Sequence, residues 1–293
     1  MILIQLQGGL GNQMFQYAFA RVLAENNKDL IVLENSFFET KGKREGFTSR
    51  KFELDIFNNH YVEASDFDIQ SFNYLSIVNK IKRKLGLNYP KIYNESSFEF
   101  NAEALSIPSP VYLKGYFQSY KYFIGNEDLI RAFFSFRINN LDRKNKELLS
   151  TFKNQNTIAV HVRRGDYVTD KLTQQFHGNC SLEYYYQAIK QFQIISKDFT
   201  LVFFSDDSDW VKEQFKDLTC SKIFIDHNKN EDSWKDMLLM SSCKHNIIAN
   251  SSFSWWAAWL NMNSEKRVIA PKKWFSAIEI DTNDLIPNEW IRL

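Results

Sequence analysis

Residues 161–167 read HVRRGDY, and they set two permanently charged groups, Arg163 and Arg164, directly after the apolar run TIAVHV. A Val-rich run of that length reads as a buried strand, and a strand interior has little use for adjacent guanidinium groups. The pair therefore belongs at the strand's carboxyl tip. Its chemistry there is bidentate holding of phosphate by a group that cannot lose its charge. The same residues also admit a surface Arg–Asp pair closing the turn through Asp166, and one arginine can do this while the other meets a ligand.

Three more stretches carry chemistry. ANSSFSWWAAWL (249–260) ends a strand at Ala249 or Asn250 and opens a helix with small hydroxyl residues. The N–H groups and positive dipole end at Asn250, Ser251 and Ser252 make an anion site, with which N-capping by Asn250 or Ser251 is compatible. Trp255, Trp256 and Trp259 in that helix read as core packing. FSDDSDW (204–210) presents Asp206, Asp207 and Asp209 after a strand. That pattern either holds a metal or starts a helix, and the acid-rich first turn favours the helix start. GGLGNQ (8–13) contains Gly9-x-Gly11, with Glu34 ending the next strand, but Met14 stands where a dinucleotide fingerprint needs its third glycine. The turn is better read as bringing backbone at Gly11, or Asn12 and Gln13, to a ligand across a cleft.

These groups need elements to hold them. Met1–Gln7 reads as a strand, and Met14, Tyr17, Ala18, Arg21 and Val22 recur at helical spacing. LIVLEN (30–35) and VYLKGYF (111–117) read as further strands, whereas residues 40–125 otherwise show no sustained period and predict irregular helices and long loops. The second half is more regular. TIAVHV, TLVFFS, KIFID, NIIAN and RVIAP alternate with four helical segments, which implies a parallel sheet with right-handed crossovers. Ligands of such sheets bind beyond the carboxyl ends of the strands. The class is α/β, and the charged stretch LDRKNKE (141–147) predicts a boundary between domains 1–145 and 146–293.

Composition narrows the rest. The chain has 293 residues, 36 Lys and Arg against 35 Asp and Glu, and a net charge of +1, so no global basic field argues for nucleic acid. Three cysteines, Cys180, Cys220 and Cys243, lack the spacing of a disulfide framework or zinc site, which fits a reducing cytoplasmic setting. MILIQLQGG lacks the basic start and apolar length of a signal peptide, and no stretch has the roughly 20 apolar residues of a membrane span. NKIKRKLG (79–86) admits two readings: a solvated helix face, or a weak peripheral contact with the anionic inner face of a membrane.

LQGGLGNQMFQYAFA, HVRRGDY, FFSDD and LLMSSCKHNIIANSSFSWWAAWL, in this order and over nearly the whole chain, resemble the α-1,2-fucosyltransferase family of bacteria and animals. HVRR alone is shared with α-1,6- and protein O-fucosyltransferases. The resemblance implies a GT-B-like pair of Rossmann-like domains facing a cleft, and an inverting transferase that requires no metal. Its donor would be GDP-β-L-fucose, held by the C-terminal half. Its acceptor would be a β-galactoside, on an oligosaccharide or lipid-linked glycan, in O-antigen or other surface polysaccharide synthesis. Carried over residue by residue, His161 and Arg163 would contact guanosine diphosphate, with Arg164 and Asp166 completing the motif. Asp236 would read guanine, and Ser252 would touch the β-phosphate. Asp166 and His177 are both open as proton acceptor.

Three alternatives stand beside this expectation. One is a fucosyltransferase of α-1,6 or α-1,3 linkage. Another is an NAD(P)-dependent nucleotide-sugar oxidoreductase or epimerase built on the N-terminal turn and Glu34, which Met14 opposes. The third is a non-enzymatic sugar-binding module, which leaves Arg163 and Arg164 without a purpose.

Overall fold

Strand-forming and helix-forming runs alternate along the chain, and each half closes on a parallel sheet of its own. The computed structural model describes residues 1–40, 50–72, 76–164, 178–196, 198–276 and 280–293. Two units result, Met1–Ser135 with Asp281–Ile286, and Phe136–Ile280 with Pro287–Leu293. LDRKNKE, which predicts a boundary, instead lies inside the second unit and forms the start of a helix there, capped by Asp142.

In the first unit β1 (Ile2–Gln5), α1 (Leu10–Asn27) and β2 (Ile31–Glu34) follow the expected order. After them come α2 (Ser36–Thr40), α3 (Asp66–Ser71), α4 (Ile77–Lys84), β3 (Lys91–Asn94), β4 (Val111–Lys114) and α5 (Glu127–Phe133). The four strands pair in parallel in the order β2-β1-β4-β3. Strand β3 was not expected. It is a short edge strand, half-buried on alternate residues, so it offers no apolar run to read.

Helix α1 is apolar nearly all round, the mark of a buried helix. Phe19 stacks on Phe117 with centroids 4.2 Å apart, and Tyr122 meets Phe19 edge-on at 4.7 Å. Two buried glutamines interrupt this apolar surface, and both bond to backbone groups through each end of the amide. Gln13 donates to the carbonyls of Gly8 (2.9 Å) and Lys51 (2.8 Å) and accepts from the Glu53 N–H (2.9 Å). Gln16 donates to the Gly115 carbonyl (3.0 Å) and accepts from the Gln7 N–H (3.1 Å).

The second unit runs α6 (Arg143–Asn154), β5 (Thr157–Val162), α7 (Leu182–Ile195), β6 (Thr200–Ser205), α8 (Ser208–Gln214) and β7 (Ser221–Ile225). It continues through α9 (Trp234–Ser242), β8 (His245–Ile247), α10 (Ser252–Leu260), β9 (Val268–Ala270) and β10 (Ile291–Arg292). All strands are parallel, in the order β10-β9-β8-β5-β6-β7. Every strand expected in this half is present, and the two-residue β10 is additional. Both units are Rossmann-like, as the GT-B expectation requires.

The order matters for the site. From β5 the chain winds outward to β7, then returns to lay β8 against the other side of β5. The gap between the carboxyl ends of β5 and β8 is thus a topological switch point, where sheets of this class place ligands. Tyr184 on α7 secures that end by donating to the carbonyls of Ile248 (2.6 Å) and Ile269 (3.1 Å). Trp255 and Trp256 are wholly buried and Trp259 nearly so, which bears out their reading as core.

The last residues are divided between the units. Asp284 accepts from the Phe100 N–H (2.8 Å), pairs with Lys121, and receives the Ser119 hydroxyl on its carbonyl at 2.7 Å. Farther on, Ile291 pairs with Ile269, and the Leu293 N–H donates to the Ala270 carbonyl at 3.1 Å.

Gln13→Leu keeps the volume of that side chain but strands two carbonyls and one N–H in a closed interior. Each such group costs about 1–3 kcal/mol. The variant should therefore lose about 2–4 kcal/mol in urea-induced unfolding. A midpoint indistinguishable from wild type would show that Gln13 is no anchor.

Candidate active site

Strand β5 is buried throughout, and its carboxyl tip is where the charges begin. The register with β6 pairs Thr157 with Thr200 and Val162 with Ser205, so the next residues face each other as Arg163–Arg164 against Asp206–Asp207. Arg163 Nη1 lies 2.9 Å from Asp206 Oδ2. The other oxygen of Asp206 accepts the Arg164 N–H at 2.9 Å. Arg164 Nε donates to Asp207 Oδ2 at 3.2 Å, while its guanidinium lies over the Trp210 ring, 3.8 Å from the centroid. A cation this close to a ring face is attracted by the ring as well as by the carboxylate.

Asp207 has a second task as the N-cap of α8, accepting the Trp210 N–H at 3.3 Å. The helix-start reading of FSDDSDW is borne out there, although nothing within the motif hints that Asp206 and Asp207 also hold the arginines. Asp209 is exposed and stands 3.7 Å from Lys212. No group of three or more His, Cys, Asp or Glu side chains clusters among the described residues.

His161, the fifth residue of β5, is buried, and its Nδ1 has no hydrogen-bond partner. Burial, with Arg163 beside it, holds its imidazole well below the usual range, against the pull of Asp206. The ring is neutral at pH 7. Its centroid lies 5.9 Å from that of Phe253, in the first turn of α10. The β5 tip and the α10 N-terminus thus meet at the switch point.

Ser251 is the N-cap residue of α10, in extended conformation, and its side chain makes no capping bond. Helix α7, by contrast, is capped by Ser181. Asn250 is buried, and its amide donates to the carbonyls of Gly178 (3.2 Å) and Trp274 (3.1 Å). The Cys180 thiol donates to its Oδ1 at 3.5 Å. Asn250 therefore shapes the loop, while Ser251 and Ser252 present the helix end.

Asp236 lies in the first turn of α9, which packs against α10. Asn228 Nδ2 donates to its Oδ1 at 2.8 Å, and Asn228 is held in turn by reciprocal bonds with Asn145 at 2.9 and 3.0 Å. Burial outweighs that single side-chain bond and pushes the Asp236 carboxyl up to about 7. Lys235, its neighbour in sequence, is paired with Asp142 (3.2 Å) and Asp232 (2.8 Å) instead.

Gly11 and Asn12 belong to the first unit, at that sheet's own switch point between β1 and β4. Gly11 is buried in the first turn of α1. Asn12 accepts from Gln118 Nε2 at 2.8 Å. The residue that must be glycine here is Gly8, with φ of +77°, where an added Cβ would come within 2.4 Å of Asn12 Nδ2. Gln13 is committed to structure, as described above. Glu34 is buried, and it accepts from Gln5 Nε2 (2.7 Å), the Tyr112 hydroxyl (2.8 Å) and the Ser36 N–H (2.7 Å). Three donors already engage this carboxylate, which argues against its serving a ribose and hence against the oxidoreductase alternative. Asp166 and His177 lie outside the described residues.

Residues 1–293 match glycosyl transferase family 11. The chain is 34% identical over 305 residues to the O-antigen biosynthesis glycosyltransferase WbnK of Escherichia coli, covering 98% of this chain and 99% of that one. To an α-1,2-colitosyltransferase of Escherichia coli it is 33% identical over 297 residues, covering 100% and 98%. Among solved structures, the NodZ α-1,6-fucosyltransferase co-crystallised with GDP shares the fold. Its TM-score is 0.51 at 14% identity, over 87% of this chain and 91% of that chain.

The raised carboxyl makes stability depend on pH. An unfolded aspartate ionises near pH 4, whereas folded Asp236 keeps its proton up to about pH 7. Its contribution is thus complete below about pH 4 and is lost as pH rises from there through 7. His161, depressed on folding, acts oppositely, and its contribution is lost as pH falls below about 6.5. Comparison with Asp236→Asn cancels the histidine, which both proteins keep. Between about pH 5 and 7.5 the melting temperature of the wild type should fall relative to that of the variant. Parallel melting curves would show that Asp236 ionises normally.

Proposed function

The chain belongs to glycosyl transferase family 11, and from that premise we propose that it transfers L-fucose from GDP-β-L-fucose to the 2-hydroxyl of a β-galactoside. The transfer inverts the anomeric centre, requires no metal, and serves synthesis of a surface glycan such as an O-antigen. The observation that carries this reading is the arginine pair at the β5 tip, braced by Asp206, Asp207 and Trp210 beside the N-terminus of α10.

Transfer passes through an oxocarbenium-like state while the departing diphosphate gains negative charge. Arg163 and the helix end at Ser251–Ser252 face that charge in this proposal and stabilise it without a cation. Asp206 limits the swing of Arg163, so its remaining donors are oriented before the donor sugar arrives. The neutral ring of His161 can donate or accept one hydrogen bond to the nucleotide without adding charge. Asp236, held on one oxygen by Asn228, loses its proton when the nucleotide binds and accepts, as the carboxylate, the N1–H and exocyclic amine of guanine. Asp166 or His177 accepts the proton of the attacking hydroxyl. Gly11 and Asn12, on the other unit, belong to the acceptor side.

The similarity to an α-1,2-colitosyltransferase favours a second donor, GDP-colitose. That sugar is fucose without its 3-hydroxyl, so guanine and diphosphate would be held alike. Incubation with GDP-fucose or GDP-colitose and a panel of β-galactosides, in excess EDTA, separates the readings. An α-1,2-fucosylated galactoside is expected, at a rate that EDTA leaves unchanged. Transfer from GDP-colitose alone would reassign the donor. Loss of turnover in EDTA, restored by Mn²⁺, would overturn the role given to the arginines.

Arg163→Lys should be nearly as damaging as Arg163→Ala, because lysine keeps the charge but loses the planar fork. Removing a donor aimed at developing charge typically costs about 3–4 kcal/mol, on the order of a hundred- to thousandfold in rate. The loss should fall on kcat more than KM, since that charge exists only as the bond to fucose breaks. Steady-state kinetics and a melting curve on one preparation decide the matter. A variant that melts early but keeps wild-type kcat in its folded fraction would make Arg163 a turn-closing residue.

A further inference from the structure

Helix α4 (Ile77–Lys84) faces the wrong way for a helix of a water-soluble surface. At about 100° per residue, Ile77, Val78, Ile81 and the C-cap residue Leu85 share one arc, and Asn79 lies opposite. Asn79 is the buried residue, and its amide donates to the Ser71 carbonyl at 3.0 Å. The apolar four are 76%, 61%, 53% and 66% exposed. An amphipathic surface helix normally turns its apolar arc inward. The helix is nonetheless a defined one, with Ser76 Oγ accepting the Asn79 N–H at 3.1 Å as its N-cap.

The charges carried by this stretch of chain are all of one sign. Lys80, Lys82, Arg83, Lys84 and Lys91 follow one another with no Asp or Glu between Asp68 and Glu95, in a chain whose net charge is only +1. On the helical wheel Lys80 and Lys84 border the apolar arc on one side and Lys82 borders it on the other. Lysines so placed can bury their methylene stems beside the apolar residues and lift their ammonium groups to an anionic layer.

We propose that α4 is a membrane-docking helix. It lies in the headgroup plane of an anionic bilayer, with Ile77, Val78, Ile81 and Leu85 at the acyl boundary and the lysines on lipid phosphates. Charge complementarity selects this occupant over a second copy of the chain, because two such faces would set cations against cations. With little more than two helical turns to bury, the attachment is reversible and sensitive to salt. The inference is independent of which sugar the protein transfers.

The test is flotation of the full chain with vesicles of phosphatidylcholine alone or with about 30% phosphatidylglycerol. Wild type should float with the anionic vesicles at low salt and release at about 0.5 M NaCl. The combined variant Ile77→Ser, Ile81→Ser, Leu85→Ser should bind at least about tenfold more weakly while melting as wild type does, since those side chains are already in water. Lys80→Glu with Lys84→Glu should weaken binding as strongly. Wild type that ignores anionic vesicles, or a serine variant that binds them equally, would sink the proposal. So would light scattering that shows a dimer dispersed by the serine substitutions, with no vesicle binding, because the face would then belong to a second copy.

Discussion

Two guanidinium groups at the end of a buried strand can be fixed in direction only if the fold sets opposite charge against them at a fixed distance. The register of β5 with β6 does this. Once Thr157 stands beside Thr200, the pairing runs out of the sheet as two arginines facing two aspartates. Partly exposed ion pairs of this kind contribute little to stability, so their value here lies in geometry. Asp206 holds one arginine and the backbone of the next, and Asp207 holds the second arginine while starting α8. Trp210, in the first turn of that helix, then supplies the plane on which Arg164 rests. A single register thus couples strand, helix and both cations.

The two units solve the same topological problem with different chemistry. Each has a central strand flanked by strands added in opposite directions, and each leaves its switch point at the carboxyl edge. The second unit places arginines and a helix N-terminus without a side-chain cap there. In the first unit that edge carries amides and acids: Asn12 with Gln118, and Glu95, which accepts the N–H groups of Tyr116 (2.6 Å) and Phe117 (3.0 Å). Burial holds Glu95 above the usual carboxylate range, although those backbone bonds oppose it. An edge of that kind suits hydroxyl groups better than phosphates, in keeping with an acceptor-side role under the proposed function.

Much of this architecture is legible in the residues alone. TIAVHV and TLVFFS are runs of equal length, each starting at threonine and each followed by a charged pair, RR and DD. Set side by side as parallel strands, they predict the clamp, yet the two motifs read one at a time do not show it. The alternation of the second half is equally plain, because strands buried on both faces are continuous apolar runs. Strands β3 and β10 are not legible, being short and at sheet edges, where pairing comes from the neighbour and not from side-chain pattern. Asn250 misleads for a related reason. A residue type that caps helices in general spends its amide on three groups distant in sequence, which only the tertiary fold brings together. The inverted exposure of α4 is hidden too, since a helical wheel gives an apolar arc but not the side on which the protein lies.

The C-terminal segment has a consequence for modularity. The chain leaves the second unit after Ile280, gives Asp281–Ile286 to the first, and returns with Pro287–Leu293 to complete the β10 edge. Neither unit is therefore one continuous stretch of coding sequence. A recombinant exchange of the second unit between relatives would need three crossovers, at the 135/136, 280/281 and 286/287 junctions. A single crossover at the first would pair Lys121 and Ser119 with a foreign residue in place of Asp284. The two halves are thereby bound to a common inheritance, with residues 281–293 as the suture.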